Sequence, residues 1–330
     1  MTDMFRGVMP ATPAWPPKSA PRLFVEQELS AGTPVTIDGN QAHYLTKVMR
    51  VSPGDAVILC DDITGEWTAE VVEAAGAQAV RGSLDELDVL TTSATNADAV
   101  IHLAFKHDFT DYTGAAASDL RAVEAMGAAL AGSGKALINT SGTALLATGA
   151  SSPLGTETST IDPSGARAPS ENATLALAGN GVRSAVIRLA PTVHGPTDHQ
   201  GFIPTLIDHA RTTGQAIYVG DGANRWPAVH NLDAARLYRL AVEAAPAGVV
   251  LHGAAEQGVP FHDIAQMIGT RLGVPAVSVS PEEAREQLGF IGWVATLDNP
   301  TSSAITRQQL GWRPEHPTLL EDLANGAYLS

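Results

Sequence analysis

Several side chains in this 330-residue sequence have the types and positions that chemistry requires. Ser141 ends the run KALINTS, with Thr143 two residues on. A hydroxyl there either simply terminates a strand or faces a ligand, since α/β sheets bind ligands at the carboxyl ends of their strands. Arg167 and Glu171 stand one helical turn apart in ARAPSENA. The guanidinium can bind an anion or polarise a carbonyl but cannot release a proton at pH 7, and the bland alternative is a surface Arg–Glu salt bridge. His194 in PTVHG and His230 in WPAVHN titrate near neutrality and can move a proton, although a hydrogen-bonded structural histidine satisfies the same pattern. His102, His107 and Asp108 run from a strand into a loop with a spacing that matches no common metal site, so no metal is expected.

A nucleotide cofactor needs a glycine-rich turn between a strand and a helix, because the backbone must approach the pyrophosphate. The stretch VILCDDITGEWTAEVVEAAG offers only Gly65 between its apolar strand and the segment that follows, and Asp61 and Asp62 would set negative charge against a phosphate. Two readings of 55–80 stand: AVILC and WTAEVV as a hairpin around DDITGE, or AVILC as a central strand followed by a helix TAEVVEAAG, whose Ala and Glu suit helix. GFIGWVA at 289–295 spells GxxGxxA but follows the polar helical run PEEAREQL rather than a strand, so the match reads as chance. GSGK at 132–135 is a helix end, since Ala129 and Ala136 break the P-loop pattern.

Two rhythms position these residues. From Arg22 to about Glu73 short alternating runs are divided by Gly, Pro and Asp turns, which predicts a small β-barrel with one helix over QAHYLTKVMR. After Gly76 strands alternate with helices: strands at 97–105, 135–141 and 182–190, helices at 118–134 and 170–181. This predicts a doubly wound α/β sheet of the Rossmann-like kind. FHDIAQMIGTRLG and TRQQLGW belong to a smaller C-terminal lobe, and residues 1–20 read as a disordered leader. The chain is 44% hydrophobic with a net charge of −15, and residues 1–75 carry five Lys/Arg against ten Asp/Glu. That balance argues against nucleic acid as a partner. No apolar run approaches the ~20 residues of a membrane span, and the lone Cys60 fits a reducing cytoplasm.

ADAVIHLAF, LINTSGTALL, VIRLAPTVHGP, YVGDGANRWPAVHNLDAARLYRLAVE and LGWRP occur in an order that resembles the extended short-chain dehydrogenase/reductase family, over 76–330. The likeness is to its atypical NAD-dependent epimerase/dehydratase-like members. PRLFVEQELSAGTPVTIDGNQAHYLTKVMRVSPGDAVILCDDITGEWTAEV, over 21–74, resembles the PUA-like barrel of the ribosomal RNA small-subunit methyltransferase E family, which methylates a uridine at N3. The S-adenosylmethionine domain of that family has no counterpart here. The resemblance favours the hairpin reading and implies a foreign β-rich module replacing the first βαβ unit of the reductase, with 75–330 as the truncated Rossmann-like domain and its substrate lobe starting near 191.

The reductase resemblance implies NAD or NADP as cofactor, with binding weakened or lost because the glycine-rich turn is missing. By the same token Ser83, Leu84, Leu103, Ala104, Phe105 and Pro191 are the cofactor-side positions. Reductases of this class use a Ser–Tyr–Lys set in which Tyr transfers the proton, Lys lowers its pKa and Ser orients the carbonyl. Here Ser141 keeps the Ser, with Thr143 behind it, whereas Arg167 and Glu171 occupy the Tyr and Lys positions. His230 or His194 is the substitute acid. Asn224, Arg225 and Trp226 match the substrate-side loop, and SDLRAVEAMGAALAG matches a helix through which such enzymes often form homodimers. The substrate is a small molecule. Under the PUA-like resemblance the alternative is an rRNA-binding module with Arg22, Lys47 and Arg50 toward RNA.

Overall fold

The computed structural model describes residues 3–7, 22–24, 29, 34–37, 45, 56–61, 65–71, 73–74, 77–78, 80, 82–106, 111–148, 154–199, 201–326 and 328. They fall into two units, Met1–Gly82 and Ser83–Ser330.

In the first unit β1 (Asp3–Gly7), β2 (Arg22–Phe24), β3 (Pro34–Ile37), β4 (Ala56–Asp61) and β5 (Gly65–Val71) form one sheet in the order β2-β4-β5-β1-β3. β6 (Glu73–Ala74) and β7 (Ala77–Gln78) make a short separate pair. β4 and β5 are antiparallel with Asp61 opposite Gly65, so the hairpin reading holds and the strand–helix one does not. β-Branched and aromatic residues along both strands favour that outcome over the helical preference of Ala and Glu. The leader expectation needs correcting at residues 3–7, which pair with both β3 and β5. The helix expected over 41–50 lies outside the described residues apart from Leu45.

In the second unit β8 (Ala99–His102), β9 (Ala136–Gly142), β10 (Arg183–Leu189) and β14 (Val249–Gly253) build a parallel sheet in the order β14-β10-β9-β8. β9 and β10 are buried on both faces, which is why they read as continuous apolar runs. On one face lie α1 (Leu87–Asn96) and α2 (Tyr112–Leu130), whose Ala94, Ala122 and Leu130 meet Leu137. α2 starts where the Asp111 carboxylate accepts the Gly114 N–H at 2.9 Å. Next come α3 (Ala144–Ala147) and α4 (Ala168–Ala176), the latter with Pro169 in its first turn. The sheet order runs in one direction only, with β8 at its rim among the described residues. Ile101 and Leu103 beside that rim are 43% and 60% exposed.

The lobe contains β11 (Thr192–His194), α5 (Phe202–Thr213), β12 (Ala216–Val219), β13 (Arg225–His230), α6 (Asn231–Ala244), β15 (Glu256–Pro260) and α7 (Phe261–Leu272). β16 (Ala276–Val279), α8 (Pro281–Leu288), α9 (Phe290–Val294), α10 (Ala304–Leu310) and α11 (Leu319–Asn325) complete it. α6 returns to the main sheet, packing Leu237 and Ala241 with Ile138 and Ile187, whereas Trp226, Phe261 and Ile264 form the lobe's own core.

The glycines of GFIGWVA have a packing role. Gly289 takes a positive φ of 56° between α8 and α9, and a Cβ on Gly292 would meet the Ala284 carbonyl oxygen at 1.9 Å. Gly292→Ala should therefore cost about 2–3 kcal/mol in chemical denaturation, because the atom in the way is backbone and cannot rotate aside.

Candidate small-molecule site

The carboxyl ends of β9 and β10, the start of α4 and one side of the lobe enclose a cavity of about 1040 Å³. Ser141, Pro191 and Thr192 line it from the sheet, Arg167 from α4, Tyr112 from α2 and Trp293 from α9. This is the size and position of a small-molecule site in an open α/β sheet.

Arg167 makes no pair with Glu171. Its Nη2 donates to the Thr140 carbonyl at 2.8 Å and lies 3.7 Å from Asp119 Oδ2, and its guanidinium covers the Phe105 ring at 4.2 Å. Its Nε is buried with no hydrogen-bond partner. Asp119 also meets His102 Nε2 at 2.8 Å. Glu171 turns the other way and is buried against Arg188 of β10, whose Nε donates to both carboxylate oxygens at 3.2 Å. The surface salt bridge expected from the sequence is thus replaced by a buried ion pair seventeen residues apart, between two different elements. Neither partner is free to assist a proton transfer.

Ser141 lines the cavity, and its buried hydroxyl has no partner. Thr143 is buried behind the wall, where its hydroxyl donates to the side-chain oxygen of Asn299 at 3.0 Å. Tyr112, which sequence reasoning missed, brings a phenol to the cavity. Burial raises its pKa while the nearby Arg167 charge opposes that shift. No motif surrounds Tyr112, so only the fold identifies it.

His230, Asn224, Arg225 and Trp226 do not line the cavity. Trp226 is fully buried and donates from Nε1 to the Val294 carbonyl at 3.3 Å. Asn224 Nδ2 bonds the carbonyls of Ala295 and Leu297, and Arg225 grips Asp298 through Nε at 3.0 Å and Nη2 at 2.7 Å. His230 belongs to a buried cluster: His194 Nδ1 meets Asp322 Oδ2 at 2.6 Å, His230 Nε2 lies 3.8 Å from the same oxygen, and the His230 ring stacks on His316. Burial lowers the pKa of both His194 and His230. Beside this cluster the Tyr328 hydroxyl donates to Asp198 Oδ2 and accepts the Gly195 N–H, each at 3.0 Å. The C-terminal segment is thereby fastened to a residue of the cavity wall.

Among the described residues, the positions expected on the cofactor side are divided. Ser141 and Pro191 lie at the cavity, but Ser83, Leu103 and Ala104 are exposed, Leu84 packs into the core, and Phe105 is half-buried under Arg167. Within 83–330 no described strand–glycine turn–helix unit faces them. Nearby Lys106 and Arg121 are committed to Asp85 at 2.6 and 3.3 Å. Arg22 lies in β2, and Lys47, Arg50, His107 and Asp108 lie outside the described residues. No described helix is long and apolar enough to cross a membrane.

The chain is 46% identical over 267 residues to Uncharacterized protein C2A9.02 of Schizosaccharomyces pombe, covering 81% of this chain and 90% of that protein. It is 40% identical over 249 residues to Uncharacterized protein YLL056C of Saccharomyces cerevisiae, covering 75% and 82%. It belongs to their family. The fold of this chain is the one seen in solved NAD-binding dehydratases and related enzymes. Among solved structures the chain is similar to DesIV, a dTDP-glucose 4,6-dehydratase from Streptomyces venezuelae, with NAD and TYD bound. The TM-score is 0.63 at 18% identity, over 87% of this chain and 92% of DesIV. Residues 37–83 match the family described as RNA methyltransferase PUA domain, so this member carries an N-terminal PUA-like domain.

Proposed function

We propose that this YLL056C-family protein is an oxidoreductase-type enzyme acting on a small molecule held in the 1040 Å³ cavity, with an impaired NAD(P) site. The observation that carries the reading is the cavity at the ends of β9 and β10, with the unpartnered Ser141 hydroxyl and the Arg167 guanidinium on its wall. DesIV binds NAD, which supports the same coenzyme class here. The exposed positions 103 and 104 support weak affinity, since among the described residues of 83–330 no glycine turn between a strand and a helix stands beside them. The single cysteine is in keeping with a cytoplasmic protein.

Calorimetric titration with NADH and NADPH separately tests this. The expected dissociation constant is on the order of a millimolar, about 4 kcal/mol of binding. Micromolar binding would mean that the coenzyme site is whole, and no heat at all would remove the oxidoreductase role. A second reading rests on the match at 37–83 to an RNA methyltransferase PUA domain, namely an rRNA-binding module. It requires binding to a 16S rRNA fragment that weakens steeply with salt, and the same protein sample serves for that titration.

A further inference from the structure

The cavity's lining carries information about its ligand. Among the described residues its charged groups are Asp162, Arg167 and Asp198. Arg167 already donates from Nη2 to the Thr140 carbonyl and lies near Asp119, which offsets part of its charge. In the lobe, Arg225 is held by Asp298 through two hydrogen bonds. A nucleoside diphosphate would bring two or more negative charges to one half-committed guanidinium and two carboxylates, a losing arrangement in a partly desolvated site.

The opposite wall is aromatic. Tyr112 stacks on Phe290 at 6.0 Å, Phe290 meets Phe202 at 6.4 Å and Trp293 at 5.5 Å, and all four line the cavity. Such a wall favours flat apolar rings. At the sheet end two buried hydroxyls on the lining, Ser141 Oγ and Thr192 Oγ1, lack partners, like Arg167 Nε. A single guanidinium beside two hydroxyls suits one oxygen acceptor and little more.

We infer that the ligand is a flat, mainly apolar compound bearing a single carbonyl or carboxylate group, and that nucleotide sugars are excluded. The inference rests on the proposed assignment of this cavity as the substrate site. Its basis is charge and shape, so it can be tested without coenzyme.

Trp293 provides the signal. The purified full chain is titrated with 2-naphthaldehyde, 2-naphthoate and dTDP-glucose while tryptophan fluorescence is followed and binding is checked by calorimetry. Both naphthyl probes should saturate, with dTDP-glucose at least tenfold weaker. Arg167→Met should weaken 2-naphthoate about tenfold, the size of one charge-assisted hydrogen bond, and should weaken 2-ethylnaphthalene little. Tighter binding of dTDP-glucose than of either naphthyl probe on the unaltered protein overturns the inference whatever the variant does. So does naphthoate binding that is indifferent to Arg167→Met in a variant with an unchanged melt. Naphthyl binding without NADH binding would keep this inference and discard the oxidoreductase reading, and the reverse pattern would do the opposite.

Discussion

Glu171→Gln should destabilise the larger unit by about 3–5 kcal/mol in chemical denaturation, because it leaves the Arg188 charge buried without its counter-ion. Both side chains are almost wholly inaccessible, and Arg188 has one other anchor, an Nη1 hydrogen bond to the Ser159 carbonyl at 2.8 Å. Glutamine keeps the shape and an acceptor oxygen, so the loss measured is mainly that of charge. The double variant Glu171→Leu with Arg188→Met should recover most of the loss, since a well-packed apolar pair of similar volume can equal a buried ion pair. A single-variant cost below about 1 kcal/mol would show that solvent reaches the pair. The location has a functional side. Glu171 occupies the position of the reductase lysine in the family resemblance, and its carboxylate is turned into the fold rather than toward the cavity.

Acid should weaken the protein well before its carboxylates titrate, because buried histidines are held neutral. His252 is fully buried, its Nδ1–H donates to the Ser302 carbonyl at 2.8 Å, and its Nε2 has no partner. Burial pushes its pKa down to about 4, and burial also lowers those of His194 and His230. Unfolding frees all three to titrate at the ordinary histidine value near 6.5. Between the folded and unfolded values the unfolded chain binds more protons, so stability is complete above pH 6.5 and falls as pH falls. His252 alone should account for about 2 kcal/mol lost by pH 5, with His194 and His230 adding in the same direction. Thermal melts at pH 7.5, 6.5, 5.5 and 5 would check the slope, and His252→Gln should flatten it. A midpoint unchanged from pH 7.5 to 5 would refute the account.

The strands of the main sheet were legible because burial on both faces leaves an uninterrupted apolar run, as in KALINTS and VRSAVIRLA. Helix ends were legible where glycine or proline marks them, as at Pro169. Of the residues the sequence singled out, Ser141 and Pro191 lie on the cavity beside strand ends and Arg167 lies on it at the start of α4. Trp226 misled because the loop GDGANRW gives no sign of which way its aromatic ring faces, and here it faces the lobe's core. Phe290 and Trp293 were hidden inside GFIGWVA, whose glycines answer to the distance between α8 and α9. The Glu171–Arg188 pair joins a helix to a strand, so no spacing rule along the sequence could announce it.

The ties from Tyr328 to Asp198 and from Asp322 to His194 join α11 and Tyr328 to β11 and the loop that follows it. A force applied at the C-terminus, by a surface tether or a fused partner, would be borne by the same loop that walls the cavity.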